Sequence, residues 1–296
     1  MNISISSSRY GITGLVGTII SLLRHAAAPE AHTVHVLCCR WLESDKKLFL
    51  KAMQKHGGNI ILIDINDAEE FENWPSFFGD WSTYTRLLAP KLVTASKLLH
   101  LDADLLIKFD VGEFDTYNLS ATPLAAVSAG TTIKHSNDRN FLTQATDLVE
   151  TDRYFNAGVI LYNVDIWREN NLSKKVSDFG NKHAQAIPVA DQSILNGLFS
   201  KDFVELGAEF NVPWYPESAG PSMDLARVKI LHFVGAPKPW DPFGSILHSG
   251  YKDWKKATDG KVFLNFGGTI SRAMQIRRSI ARTVLRKLKT SKNSAS

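Results

Sequence analysis

The sequence predicts an α/β fold built on a doubly wound, mostly parallel sheet. Thr33–Cys39 and Asn59–Ile65 are short runs rich in Val, Ile and Leu, the composition of strands covered on both faces. The stretch 43–56 between them carries apolar residues at helical spacing. Strand, helix, strand in that order implies parallel pairing through right-handed crossovers. A third apolar run, 98–107, pauses only at Asp102 and Asp104 and reads as one further strand.

Taken in order, residues 2–6 predict the first strand, Ser6-Ser7-Ser8 a turn, and the residues from about Tyr10 a helix. The apolar run 12–23 followed by Arg24-His25-Ala26-Ala27-Ala28 loosely resembles a leader peptide. Its positive charge falls after the apolar stretch, and the run is too short to span a bilayer, so it is read as a core helix. Cys38 and Cys39 are adjacent, and neighbouring cysteines do not normally bridge. Without a disulfide framework or zinc spacing, they predict buried thiols in a reducing compartment, the cytoplasm. Hydrophobic content of 44% and charged content of 22% are those of an ordinary globular chain and leave no disorder signature before the C-terminus.

Ligands of such sheets collect outside the carboxyl ends of strands, so the segment after Ser6 and the strand end at Asp102 and Asp104 should share one cleft. Gly11, Gly14 and Gly17 match neither the dinucleotide fingerprint nor the phosphate loop of nucleotide hydrolases. An Asp-x-Asp phosphatase would carry its pair at the end of the first strand, which here ends in serines. Alternation along a strand places Asp102, Asp104 and His100 on one side. Two carboxylates this close beside an apolar segment raise each other's pKa unless a cation or basic side chains compensate them.

Asp-x-Asp alone is a weak pattern, and its company makes it specific. Tyr84-Thr85-Arg86-Leu87 precedes it. Tyr154-Phe155-Asn156-Ala157-Gly158, Asp191-Gln192-Ser193 and His232-Phe233-Val234-Gly235-Ala236-Pro237-Lys238-Pro239-Trp240 follow in order. With these blocks the chain, over residues 1 to about 250, resembles the retaining glycosyltransferases of family 8, which include bacterial lipooligosaccharide galactosyl- and glucosyltransferases and the glycogenins.

The resemblance implies a single Rossmann-like nucleotide-diphospho-sugar transferase domain of GT-A type. It also implies a metal-dependent retaining transfer of galactose or glucose from a UDP-hexose to a glycan or glycolipid acceptor, such as lipopolysaccharide or another surface polysaccharide. Asp102, Asp104 and His232 would bind Mn²⁺, with Mg²⁺ the other candidate, and Ala103 would lie against the nucleotide. Lys238 would be a point charge on the phosphates, Gly235 would admit them close to the backbone, and Arg86 would be the donor-side cation. Asn156, Asp191 and Gln192 would contact the donor sugar, with Gln192 beside the anomeric carbon and the small Ala157 and Gly158 admitting the sugar. Asp191 has a plainer alternative as a helix cap. Tyr10 would cover the base. Ser7 and Ser8 stand where the family usually has an aspartate, so they meet the base with uncharged groups. No covalent nucleophile stands out, and a front-face displacement fits best. The alternative is an inactive relative that binds nucleotide-sugar or glycan without turnover. Residues 122–153 would border the acceptor, and there Ala125-Ala126-Val127-Ser128-Ala129-Gly130 replaces an acidic residue common in relatives.

The C-terminus carries a separate signal. Residues 272–292 hold eight Lys or Arg and no acid, so the net charge of +4 less these eight leaves −4 on the remainder. On a helical wheel Ala273, Ile276, Ile280, Val284 and Leu288 share an arc, with Arg277 and Lys287 intruding and Arg278, Arg282, Arg286 and Lys289 opposite. Such a basic amphipathic helix suits an anionic membrane surface, here the inner face of the cytoplasmic membrane, or else docks on its own domain. Nucleic acid is excluded as a partner, because no aromatic interleaves the charges and the rest of the chain is acidic. The expected organisation is a catalytic domain at 1–260 and a basic helical tail at 261–296.

Overall fold

Ile3 and Ile5 of the first strand, β1 (Asn2–Ser8), and Ser4 between them are all fully buried, so both faces of this strand are covered. The computed structural model describes residues 1–76, 79–119, 121–258 and 269–293, the last helix through its side chains at 273–288. β1 runs parallel to β2 (Thr33–Cys39), which runs parallel to β3 (Asn59–Ile65). Helix α1 (Ile12–His25) connects the first pair and α2 (Glu43–Met53) the second, the alternation read from the sequence. The run 12–23 is thus the buried core helix, with Ile12, Leu15, Val16 and Ile19 fully enclosed. Each such side chain contributes about 1.5–3 kcal/mol by leaving water.

The expected strand at 98–107 is two strands. β4 (Lys97–Leu101) joins the main sheet beside β1, and β5 (Leu105–Ile107) leaves it, with the chain turning at Asp102-Ala103-Asp104 between them. Side chains of α1 fix the departure: Thr18 Oγ1 bonds the Leu105 N–H at 3.1 Å and Leu105 O at 3.0 Å, and Ser21 Oγ accepts from the Ile107 N–H at 3.0 Å. An apolar run cannot announce that its second half pairs elsewhere. His100 of β4 is fully buried, with Nδ1 2.9 Å from Ser4 Oγ.

The main sheet continues through β6 (Leu124–Val127), β7 (Asn156–Asn163) and β8 (Val204–Glu205) in the order β3-β2-β1-β4-β7-β6-β8. Only β7 runs against the rest. One apolar cluster joins α1 and α2 to one face through Ile5, Val36 and Leu101; a second covers the other face through Leu98, Ile160 and Tyr162. A small second sheet takes β5, β9 (Val212–Pro213) and β10 (Ile230–His232) in the order β5-β10-β9.

The basic segment 272–292 lies within a helix, Thr269–Asn293. Ile276 and Thr283 are buried against the domain, while Val284, Leu285 and Leu288 are exposed, so the wheel's apolar arc splits between a docked part and an open part. Among the described residues no helix is long and apolar enough to cross a membrane. The boundary between 260 and 261 lies outside the described residues.

Candidate functional site

The carboxyl ends of β1 and β4 lie side by side, with Ile5 paired to Leu101, where β4 ends; β1 continues along β2 through Ser6, Ser7 and Ser8, so the turn expected at these serines is strand and the chain turns only at Arg9. Antiparallel β7 brings its first residues to the same edge, where the Asp102 N–H donates to Gly158 O at 2.9 Å. β10 pairs antiparallel with β5, His232 opposite Leu105, which sets the imidazole against the residue before that strand, Asp104. The Phe233 N–H then donates to Asp104 O at 3.0 Å. Three short backbone pairings thus converge residues far apart in sequence.

The result is a cluster of Asp102, Asp104 and His232 whose nearest ligating atoms all lie within 4.8 Å of one another. His232 Nε2 is 3.2 Å from Asp104 Oδ1 and 3.6 Å from Asp102 Oδ2. Asp104 Oδ1 is buried without a hydrogen-bond donor. Two carboxylates and an imidazole are a fitting donor set for Mn²⁺ or Mg²⁺, and an enclosed carboxylate oxygen lacking a donor is what a cation would satisfy.

Basic side chains surround the cluster. Lys238 Nζ donates to Asp104 Oδ2 at 2.5 Å and to Phe233 O, so this lysine is clasped to the carboxylate. Burial pushes the Asp104 carboxyl up, but Lys238 and His232 outweigh it and hold the group well below the usual carboxylate range. Arg86, in the 3₁₀ helix Ser82–Leu87, is buried between two acids. Its Nη2 meets Asp102 Oδ1 at 2.6 Å, its Nε meets Asp191 Oδ2 at 2.7 Å, and its Nη1 donates to Ala157 O.

Asp191 sits in the first turn of the helix Ala190–Phe199, as its spacing predicts, but its carboxylate turns to Arg86 instead of capping the helix. Burial raises its pKa to about 6 against the pull of Arg86. In the next residue, Gln192, Oε1 accepts from Asn156 Nδ2 at 3.0 Å and from the Ala157 N–H at 3.1 Å, while Nε2 donates to Tyr154 Oη at 2.6 Å.

Ala157 and Gly158 are the small residues expected to admit the sugar. At Gly158 the protein's own packing also requires glycine, because a Cβ there would lie 2.6 Å from His232 Cε1 and 2.9 Å from Asn156 Oδ1. Ala103 is similarly tied down: a Cβ at Gly14 would lie 2.6 Å from its carbonyl oxygen and 2.5 Å from the Trp240 ring. Gly235 has φ +80°, a left-handed backbone that suits glycine, and stands exposed before Pro237. Ser7 Oγ donates to Ser8 O at 2.8 Å and Ser7 O accepts from Trp41 Nε1 at 2.8 Å, so Ser7 is held by its own neighbourhood. Tyr10 is 40% exposed at the entry to α1. Among the described residues, no hydrogen bond or ion pair joins Ser7, Ser8, Tyr10 or Gly235 to the acidic cluster.

Two further residues complete the site. Asn211, which enters β9, meets His232 Nδ1 through Oδ1 at 2.9 Å and donates from Nδ2 to Asn156 Oδ1 at 2.8 Å. Tyr154 holds Gln192. Tyr154 opens the block 154–158 but carried no predicted role, and Asn211 belongs to no such block, so the fold alone brings it in.

This arrangement can hold a divalent cation, neutralise a polyanion and present fixed amides beside it. A family model described as Glycosyl transferase family 8 matches residues 2–243. The chain is 26% identical over 260 residues to the lipopolysaccharide 1,3-galactosyltransferase of Salmonella typhimurium, covering 84% of this chain and 76% of that protein. It is 24% identical over 244 residues to general stress protein A of Bacillus subtilis, covering 77% and 82%. Its fold is similar to the crystal structure of the galactosyltransferase LgtC with donor and acceptor sugar analogs, at a TM-score of 0.72 and 23% identity over 90% of this chain and 98% of that one.

Proposed function

The chain belongs to glycosyl transferase family 8, and on that premise we propose that it moves galactose or glucose from a UDP-sugar to a glycan acceptor, Mn²⁺-dependently and with retention of anomeric configuration. The observation that carries the reading is the convergence of Asp102, Asp104 and His232 beside Lys238 and Arg86, with Gln192 held one amide away.

Breaking a sugar-diphosphate bond leaves negative charge on the diphosphate and cationic character at the anomeric carbon. Asp102, Asp104 and His232 would hold Mn²⁺, which when bound would supply Lewis-acid stabilisation to the leaving diphosphate. Lys238 brings a charge on a flexible stem to the same place, reaching the phosphates by exchanging its contact with Asp104. Arg86 bridges Asp102 and Asp191 with its guanidinium, which fixes the wall against which the sugar lies. Asn156, Asp191 and Gln192 line the donor sugar, and the Gln192 carbonyl faces the oxocarbenium-like carbon. Asp191 is 4% exposed and paired to Arg86, so it positions and does not attack. With both Asp102 and Asp191 paired to Arg86 and Asp104 in the metal-binding cluster, the acceptor hydroxyl attacks from the face that the UDP leaves.

Ser7, Ser8 and Tyr10 receive the base, and Ala103 and Gly235 present backbone to the nucleotide. The name of the Salmonella relative places its acceptor in lipopolysaccharide; a glycolipid or surface polysaccharide is proposed here by that likeness. The basic helix would then keep residues 1–260 near an anionic membrane face on the cytoplasmic side.

UDP release over a panel of UDP-sugars, with Mn²⁺ or chelator and with glycan acceptors, tests the reading. Release with UDP-galactose or UDP-glucose that chelator abolishes supports it. Nucleotide-sugar binding without release under any condition marks a binder and overturns it.

A further inference from the structure

The polarity of the amides behind His232 is set by two backbone N–H groups. Gly158 N–H donates to Asn156 at 2.9 Å, so the atom there is the carbonyl oxygen, and Nδ2 must point to Gln192. Ala157 N–H donates to Gln192 Oε1, which makes that contact consistent from both sides. Asn156 Oδ1 also meets Asn211 at 2.8 Å and, being an acceptor, requires the amide nitrogen of Asn211 there. Flipping Asn211 would press two carbonyl oxygens together at that distance. Asn211 Oδ1 therefore faces His232 Nδ1 at 2.9 Å, and an acceptor in that place demands a proton on Nδ1.

We propose that Asn211 is a positioning residue that keeps a proton on His232 Nδ1, so that Nε2 is the nitrogen left to offer a lone pair to a cation between Asp102 and Asp104. The inference rests on the metal-binding reading given above and adds to it a residue outside the ligand set. Asn211 is 6% exposed, and the hydrogen bonds on both edges of its amide leave it one orientation. The same chain of amides runs on through Asn156 to Gln192 and Tyr154, so the tautomer of the ligand and the pose of the sugar-side glutamine share one set of hydrogen bonds. Partners that orient a ligating imidazole are worth about ten- to a hundredfold in metal affinity.

The experiment is a Mn²⁺ titration of the substrate-free full chain, reading free Mn²⁺ by electron paramagnetic resonance, together with ¹⁵N NMR of His232 in metal-free protein above pH 8. The wild type is expected to show Nδ1–H. Asn211→Leu should lose about ten- to a hundredfold in Mn²⁺ affinity and yield mixed tautomers. Asn211→Asp retains an acceptor for Nδ1–H but sets its second oxygen against Asn156 Oδ1, so it should restore the Nδ1–H tautomer that Asn211→Leu loses and recover Mn²⁺ affinity only in part; mixed tautomers in a folded Asn211→Asp overturn the inference. Equal Mn²⁺ affinity in wild type and a folded Asn211→Leu overturns the inference while leaving the metal site standing. A wild type that binds no Mn²⁺ overturns the metal reading. The wild-type NMR needs no variant, and an Nε2–H imidazole there overturns the role of Asn211 by itself.

Discussion

The His232 imidazole occupies the space that a side chain at Gly158 would need, with Cε1 and Nδ1 at 2.6 and 2.8 Å from where its Cβ would stand. Gly158→Ala therefore pushes the ring off its carboxylates. The expected outcome is a loss of Mn²⁺ affinity of about tenfold or more and a stability cost of about 1–3 kcal/mol from overpacking. Metal titration and thermal melts check both, and an alanine variant that binds Mn²⁺ normally contradicts the placement of His232.

Asp104→Asn removes the one carboxylate shared by Lys238 and His232. Metal-dependent turnover should fall by about 10²-fold, the scale for losing a main electrostatic stabiliser. Steady-state rates at saturating UDP-sugar across a range of Mn²⁺ measure it, and near-normal turnover would exclude this site.

The sequence carried much of this, for physical reasons that differ by element. Alternating buried strands and the helices between them were legible because Val, Ile and Leu report burial directly. Asp102, Asp104, His232 and Lys238 were legible through the ordered blocks that resemble family 8, since Asp-x-Asp or a loop lysine by itself is a weak pattern. The break between β4 and β5 was not, since both halves are equally apolar and only Thr18 and Ser21 of α1 decide where the second half pairs. Asn211 was invisible for a related reason: an amide acquires its role from the two groups it meets in space. Gly158 was noticed for its size, but the neighbour it accommodates is His232.

Activity should have an acid limb set by Asp191. Burial, opposed by Arg86, raises its carboxyl to about 6, so as pH falls through that value it takes up a proton and releases its charge from Arg86. The kcat/KM profile is expected to decline below about pH 6, and Asp191→Asn should lack that limb. The stability sign follows from linkage: between the ordinary value of 3.8 and about 6 the folded chain holds a proton that the unfolded chain has released. The contribution of this group to stability therefore falls as pH rises through that window. Thermal melts at pH 4 and pH 7 should show a smaller pH dependence in Asp191→Asn, and an unmoved limb in an active variant contradicts the assignment.

Exposed Arg278 and Arg282 lie on the open part of the C-terminal helix, away from buried Ile276 and Thr283. The double variant Arg278→Gln, Arg282→Gln should pellet less with anionic vesicles, by roughly 1 kcal/mol per charge removed, and keep its rate on a soluble acceptor. Pelleting equal to wild type would count against a membrane role for this helix.

The most direct measurement is anomalous diffraction at the manganese edge from crystals grown with Mn²⁺ and UDP. The account predicts one strong peak within ligand distance of Asp102, Asp104 and His232. A fully occupied peak elsewhere, or none at that cluster while UDP is bound, would contradict it.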